Sequence, residues 1–260
     1  MTQTDILEMK SKCDIVDEKA VLLPAIGIDS AKDSKKEYCS LAIIDNRDIL
    51  WMIPDDVTYV SGLCRSLADR GMIESKTYLY NRYALHNIKV IGGKGLESAQ
   101  FMFQDLDTNI LDIKELDLSN VESFRRMFDH AYIRKLDHNI KSSKAAAVDK
   151  MFYDCKINVA DDRDYFDLSG LNIEPRYTDY MFNRAELPTV IDIRNIHPKA
   201  NILCQTLMFG APQDGFSHDM WYVTSDKFII KEYEASNAGN YIHIANETEA
   251  DEFIKEIKTS

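Results

Sequence analysis

The dipeptide Met-Phe occurs five times in this chain, as Met102-Phe103, Met127-Phe128, Met151-Phe152, Met181-Phe182 and Met208-Phe209, at intervals of 25, 24, 30 and 27 residues. A recurrence every roughly 20–50 residues marks a stacked architecture, in which each unit buries its apolar side only against its neighbours. Regular spacing assigns the ten Met and Phe side chains to the repeat core, because every turn of a solenoid must bury something equivalent. This feature outranks composition, since it dictates an elongated body with a long surface rather than a closed catalytic pocket.

Short apolar-polar alternations precede these dipeptides, the period of a half-buried strand. They are Ile88-Lys89-Val90-Ile91, Leu116-Asp117-Leu118, Leu136-Asp137, Phe166-Asp167-Leu168 and Val190-Ile191-Asp192-Ile193. Stretches such as Val121 to Phe128 and Ala145 to Phe152 avoid Gly and Pro and predict two turns of helix. Ala99, Phe124, Val148 and Tyr177 lie three or four residues before a Met, which would place them on its face of the helix. Further strands are read at Ile49–Ile53, Trp221–Val223 and Tyr241–Ile244, and Thr248-Glu249-Ala250-Asp251 begins like a capped helix. Near the start, Ala25–Ile28 and Leu41–Ile44 can pair across a polar loop. The expected fold class is α/β, a leucine-rich-repeat-like solenoid of about seven units of short strands and short helices, with capping segments at both ends. Residues 1–45 would form an N-terminal cap or hairpin, 46–215 the solenoid, and 216–260 the C-terminal strands and capping helix.

The unit resembles the BspA-type branch of the leucine-rich-repeat proteins, whose strand reads Leu-Asp-Leu-Ser and whose helix ends in Met-Phe-x-x-Cys. Leu116-Asp117-Leu118-Ser119-Asn120 and Phe166-Asp167-Leu168-Ser169-Gly170 are similar to the first half, and Met151-Phe152-Tyr153-Asp154-Cys155 to the second. Ile53-Pro54-Asp55-Asp56-Val57 resembles the strand of the companion repeat variety, and Tyr241 to Phe253 the family's terminal strand and helix. The chain departs from the pattern in keeping one terminal Cys, in its wandering repeat length, and in the His138 that follows Asp137 where a leucine is usual. The resemblance implies a curved protein-binding scaffold and no catalytic activity.

Net charge is −12, which disfavours nucleic-acid backbone binding and suits another protein with a basic surface. Asp117, Asp137, Asp167 and Asp192 each sit between apolar strand residues, so alternation would point them away from the core. Stacked strands about 4.8 Å apart would align them as an acidic column, a candidate partner-binding surface. The same pattern is also what a repeat produces when Asp is its habitual residue, satisfied by its neighbours. A sharper form of the binding reading is an acidic inhibitor or decoy that occupies the basic groove of a nucleic-acid-handling enzyme, as anti-CRISPR-like phage and mobile-element proteins do.

A rival from another class starts at Ile26-Gly27-Ile28-Asp29 followed by Leu41–Asp45, which resembles the first hairpin of RNase H-like nucleases. There an aspartate helps to hold two divalent metals, so Asp29 would be catalytic; an ordinary hairpin explains the same residues. Gly92-Gly93-Lys94-Gly95 lacks the Walker spacing and reads as a turn. The six His and five Cys show neither zinc spacing nor a Cys-x-x-Cys pair, so no metal or cofactor is expected. Unpaired thiols, no basic-then-apolar N-terminus and no apolar run of about 20 residues give the expectation of a cytoplasmic protein without a membrane span.

Overall fold

The computed structural model describes residues 20–29, 34–70, 83–157, 165–199, 208–209, 219–235 and 242–246, with positions 4, 8, 248, 251–252 and 255. The chain is mostly β, a curled sheet of stacked parallel strands resembling a solenoid, with few and short helices. It opens with β1 (Ala20–Asp29), β2 (Ser34–Asp45) and β3 (Asp48–Ile53), paired antiparallel in that order, with β4 (Val57–Val60) on the far side of β1. The first two are the hairpin expected from Ala25–Ile28 and Leu41–Ile44, with Leu22 opposite Leu41 and Ala25 opposite Tyr38.

From β3 onward pairing becomes parallel. β6 (Asn87–Gly92), β7 (Leu106–Leu116), β8 (Tyr132–Asp137) and β9 (Lys156–Ile157) follow side by side, with β5 (Tyr83–Ala84) also on β7. A second parallel sheet carries β10 (Tyr165–Asp167), β11 (Val190–Asp192), β12 (Met220–Val223) and β13 (Ile242–Ala245). Isolated parallel bridges at Tyr59, Ser98, Ser123, Ala147 and Tyr177 repeat the stacking at another side of each coil. Gly92 and Gly93 turn the chain after β6 at φ of 88° and 78°, and a Cβ at Gly92 would stand 2.1 Å from Ile53 O, so the site needs glycine.

The first four Met-Phe segments are turns, not the two-turn helices that their composition suggests. In the first of them the amides of Phe101, Phe103 and Asp105 bond to Arg125 O, Met127 O and Asp129 O of the next coil, at 3.1, 2.9 and 2.9 Å. The amides between them, Met102 and Gln104, close tight turns onto Ala99 O and Phe101 O. A helix needs its amides for carbonyls four residues back within the same segment. Here every second amide serves the neighbouring coil instead, so inter-coil bonding displaces the helix. The alternation forces left-handed backbone at Phe101, Asp105, Arg126, His130, Lys150, Asp154, Tyr180 and Arg184, with φ between 49° and 62°. That geometry disfavours non-glycine residues by roughly 1–2 kcal/mol each, a cost that coil stacking offsets.

Inside, the phenylalanines of the five dipeptides form one continuous stack. Centroids of Phe103–Phe128, Phe128–Phe152, Phe152–Phe182 and Phe182–Phe209 lie 5.6, 5.4, 5.5 and 6.0 Å apart, with planes within 19° of parallel. All ten Met and Phe side chains are buried, in one apolar core that runs from Leu23 to Ile229. Trp51 closes the stack edge-on at one end and donates to Ser40 Oγ at 2.8 Å; Tyr222 and Tyr233 meet Phe209 at the other. Ala99, Phe124 and Val148 are buried as expected, but Tyr177 is 47% exposed, because its register partner is Ala147 rather than Val148.

The short α1 (Leu63–Ala68) lies beside the first Met-Phe turn, its Leu63 amide bonded to Met102 O at 3.0 Å. At the other end α2 (Lys227–Ala235) is started by Asp226, whose Oδ1 accepts from the amides of Phe228 and Ile229. That helix escaped the sequence reading, although Asp226 before Phe228-Ile229-Ile230 is a start signal. The terminal segment is helical at Thr248, Asp251 and Glu252 among the described residues. No helix among the described residues is long and apolar enough to cross a membrane.

Candidate partner-binding surface

The four predicted aspartates do not form a single column. Asp167 and Asp192 are register partners on β10 and β11, but the partner of Asp137 is Asp112 on β7, five residues before Asp117. Asp117 lies beyond the end of β7, its amide bonded to Gly92 O. The sequence contains two similar candidates, Leu111-Asp112 and Leu116-Asp117, and β7 is irregular in its pairing between them, which no period could reveal.

Nor do all four point outward. Asp192 is 1% exposed, a correction to the alternation argument, since β11 is covered on both sides. Its carboxylate accepts from Tyr165 Oη at 2.9 Å and from Arg194 Nε at 2.9 and 3.0 Å. Asp117 and Asp137 are half-buried and Asp167 is exposed. In Asp112, Asp117, Asp167 and Asp192 alike, an Oδ1 accepts the amide two residues on, at Lys114, Ser119, Ser169 and Arg194. At Asp117, Asp167 and Asp192 this turn bond falls where a strand ends, which explains the recurrence of Asp there, whereas Asp112 makes it inside β7. The bonds from Ser119 hold the Asp117 carboxyl below its ordinary range. At Asp137 burial works to raise it, but Lys135 and Lys114, at 3.2 and 3.4 Å, hold it low.

The opposite, turn-lined side carries two rows the sequence reading missed. The left-handed residues after each Met-Phe pair stack as Asp105, His130, Asp154 and Arg184, acid and base in alternation. His130 lies 4.0 Å from Asp105 and 3.4 Å from Asp154, and Arg184 3.4 Å from Asp154. Below them Asp129, 1% exposed, stands 2.8 Å from His130 Nδ1 and accepts from Gln104 Nε2 at 3.1 Å. The left-handed residues before each Met stack as Phe101, Arg126, Lys150 and Tyr180, with Arg126 over the Phe101 ring and Lys150 over that of Tyr180. The signal was present, since Met-minus-one and Met-plus-three positions are readable once the repeat is known.

His130 gives this row a pH dependence. The bond to Asp129 raises its pKa, burial opposes, and the charges of Asp129, Asp154 and Asp105 add to the rise. A raised folded value means stability present in full below the unfolded value of about 6.5 and lost as pH climbs through the folded value above it. Half-buried His138 has the opposite sign, pushed down to about 4 by desolvation, so its share is lost as pH falls from about 6.5 toward 4. The expected result is a melting temperature that falls on both sides of mildly acidic pH. His130→Asn, which tolerates left-handed backbone, should flatten the alkaline limb alone. An unchanged alkaline limb would show that His130 carries no such share.

Two cavities adjoin where the first Met-Phe turn meets α1. One, about 580 Å³, is lined among others by Tyr59, Arg65, Asp69, Tyr83, Phe101 and Asp105. The second, about 660 Å³, is lined among others by Pro24, Ile26, Tyr38 and Cys39 and shares Tyr59 and Ser61 with the first. Asp29 ends β1 opposite Ser34, and its side chain lies outside the described residues. Among the described residues no three His, Cys, Asp or Glu side chains converge as a metal site. Cys64 is a buried free thiol, and Cys13 and Cys204 lie outside the described residues.

No protein-family model, curated protein or solved structure matches this chain.

Proposed function

We propose that the protein is a non-enzymatic recognition scaffold that holds another protein, one with a basic surface, against its stacked coils. The observation that carries this reading is the register: successive coils align equivalent side chains into rows, a long periodic surface suited to an extended partner. The charge of −12 favours a basic partner by electrostatic steering, and the decoy of a nucleic-acid-handling enzyme is its narrower form. Kinship with BspA-type leucine-rich-repeat proteins belongs to the same reading. It is supported by the Leu116–Asn120, Phe166–Gly170 and Met151–Cys155 motifs and by the recurring turn bond of the aspartates.

The test is affinity capture from nuclease-treated lysate of the source cells, comparing wild type with Asp112→Asn, Asp117→Asn, Asp137→Asn and Asp167→Asn combined. Asparagine keeps the turn acceptor and removes the charge, so folding is preserved. A stoichiometric basic protein, captured about tenfold less by the variant, is the expected result for an interface on the strand-lined face. Equal capture would move the interface to another face, and no specific capture would defeat the scaffold reading.

A further inference from the structure

The first sheet has a second apolar face, turned away from the core along β1, β2, β3 and β6. Ala42 and Trp51 are register partners buried in the core, so the residues that alternate with them point to the other side. There Leu22 of β1, Leu41 and Ile43 of β2, Leu50 and Met52 of β3 and Ile91 of β6 pack together as a cluster separate from the core. Leu41 is 2% exposed and Met52 3%. Neighbours on one sheet face shield a side chain only from its flanks, so burial this complete requires a layer on top. The second sheet shows how this chain supplies one. Asp251, a helical position beyond β13, reaches Arg194 at 3.2 Å, and Arg194 holds the buried Asp192 on the side of that sheet turned away from the core.

We infer that residues 1–19 supply the layer over the first sheet, docked as an amphipathic helical strap across β1, β2, β3 and β6. Connectivity places them there, because they lead directly into Ala20, which begins β1 and packs against the cluster. Their pattern fits the face. Ile6, Met9, Cys13 and Val16 recur at i, i+3, i+7 and i+10, one stripe of a helix, and neither Gly nor Pro interrupts residues 1–19. Thr4 and Glu8 are helical and exposed, and helical spacing sets them opposite that stripe. The lengths agree as well: Ile6 to Val16 spans about 15 Å as helix, and the four strands span about 14 Å. Seated, the strap withdraws an apolar sheet surface from other chains, whichever partner the coils hold.

The test uses the full chain and follows alkylation of Cys13 by N-ethylmaleimide, with peptide mass spectrometry to separate it from the other thiols. In wild type Cys13 should react at least about tenfold more slowly than in the Ile6→Asp, Met9→Asp variant, whose carboxylates cannot be buried against the sheet. Buried Cys64 should stay protected in both, which shows that the coils remain folded. From the sheet side, Leu50→Asp should release Cys13 to the same degree. In Leu50→Cys a short bis-maleimide should join Cys13 to position 50 within one chain. Equal reactivity of Cys13 in wild type and in Ile6→Asp, Met9→Asp overturns the inference. Protection that survives Leu50→Asp places the segment elsewhere and overturns it too. A cross-link formed only between chains, with protection that falls on dilution, makes a second copy the occupant and defeats the strap.

Discussion

Replacing Phe152 by alanine is expected to lower the unfolding free energy by about 3–5 kcal/mol, among the largest losses available to one substitution here. Phe152 is fully buried at the centre of the phenylalanine stack, 5.4 Å from Phe128 and 5.5 Å from Phe182, and meets Phe166 edge-on at 5.7 Å. Truncation removes the transfer free energy of a large ring, leaves a cavity that two rigid neighbouring coils cannot close, and loses the ring-ring geometry on three sides. In a stack where each coil touches only its neighbours, the same cavity also weakens communication between the two ends. Trp51 and Trp221 stand on opposite sides of the break and report each end separately. Urea unfolding followed in Trp51→Phe and Trp221→Phe backgrounds should show coincident transitions before the Phe152 change and separated ones after it. Phe152→Leu, which keeps most of the volume, should lose about 1.5 kcal/mol or less. A loss under about 1.5 kcal/mol for alanine, with transitions still coincident, would show that the stack is not what joins the coils.

Asp192→Ala should cost about 3 kcal/mol, again in stability, before any effect on binding is considered. Its buried carboxylate holds Tyr165 and the Arg194 guanidinium, and Arg194 in turn reaches Asp251 at 3.2 Å. Removing it leaves a half-buried cation without its first partner and the Tyr165 hydroxyl without its acceptor, the situation in which breaking a pair costs more than the pair ever contributed. Asp192→Asn retains the turn bond to Arg194 N and should lose about half as much. Asp167→Ala, an exposed residue in the adjoining strand, should fall within about 1 kcal/mol of wild type. Thermal melts and urea titration of the three variants check the order. Equal effects at 167 and 192 would show that burial of Asp192 confers no special role, and the two could again be considered one functional set.

The Met-Phe recurrence by itself determined that coils stack, that the ten Met and Phe side chains are core, and roughly where β6, β8, β10 and β11 begin. Those conclusions follow from period and polarity alone, which are local properties of the chain. The N-terminal hairpin was legible for the same reason, from two apolar runs across a polar loop. Three things were decided only by tertiary structure. Whether Val121–Phe128 becomes helix or turn depends on where its amides bond, and the neighbouring coil competes for every second one. Which aspartates align depends on the register of β7 against β8, which sets Asp112 rather than Asp117 beside Asp137. Which of them are buried depends on what covers each strand, so Asp192 becomes a structural anion while Asp167 stays exposed. The cavity at Tyr59, Tyr83 and Phe101 was equally illegible, because it joins residues from three separate segments of chain, 59–69, 83 and 101–105. Periodicity fixes what repeats, and the ends of a repeat are where long-range packing alone determines the surface.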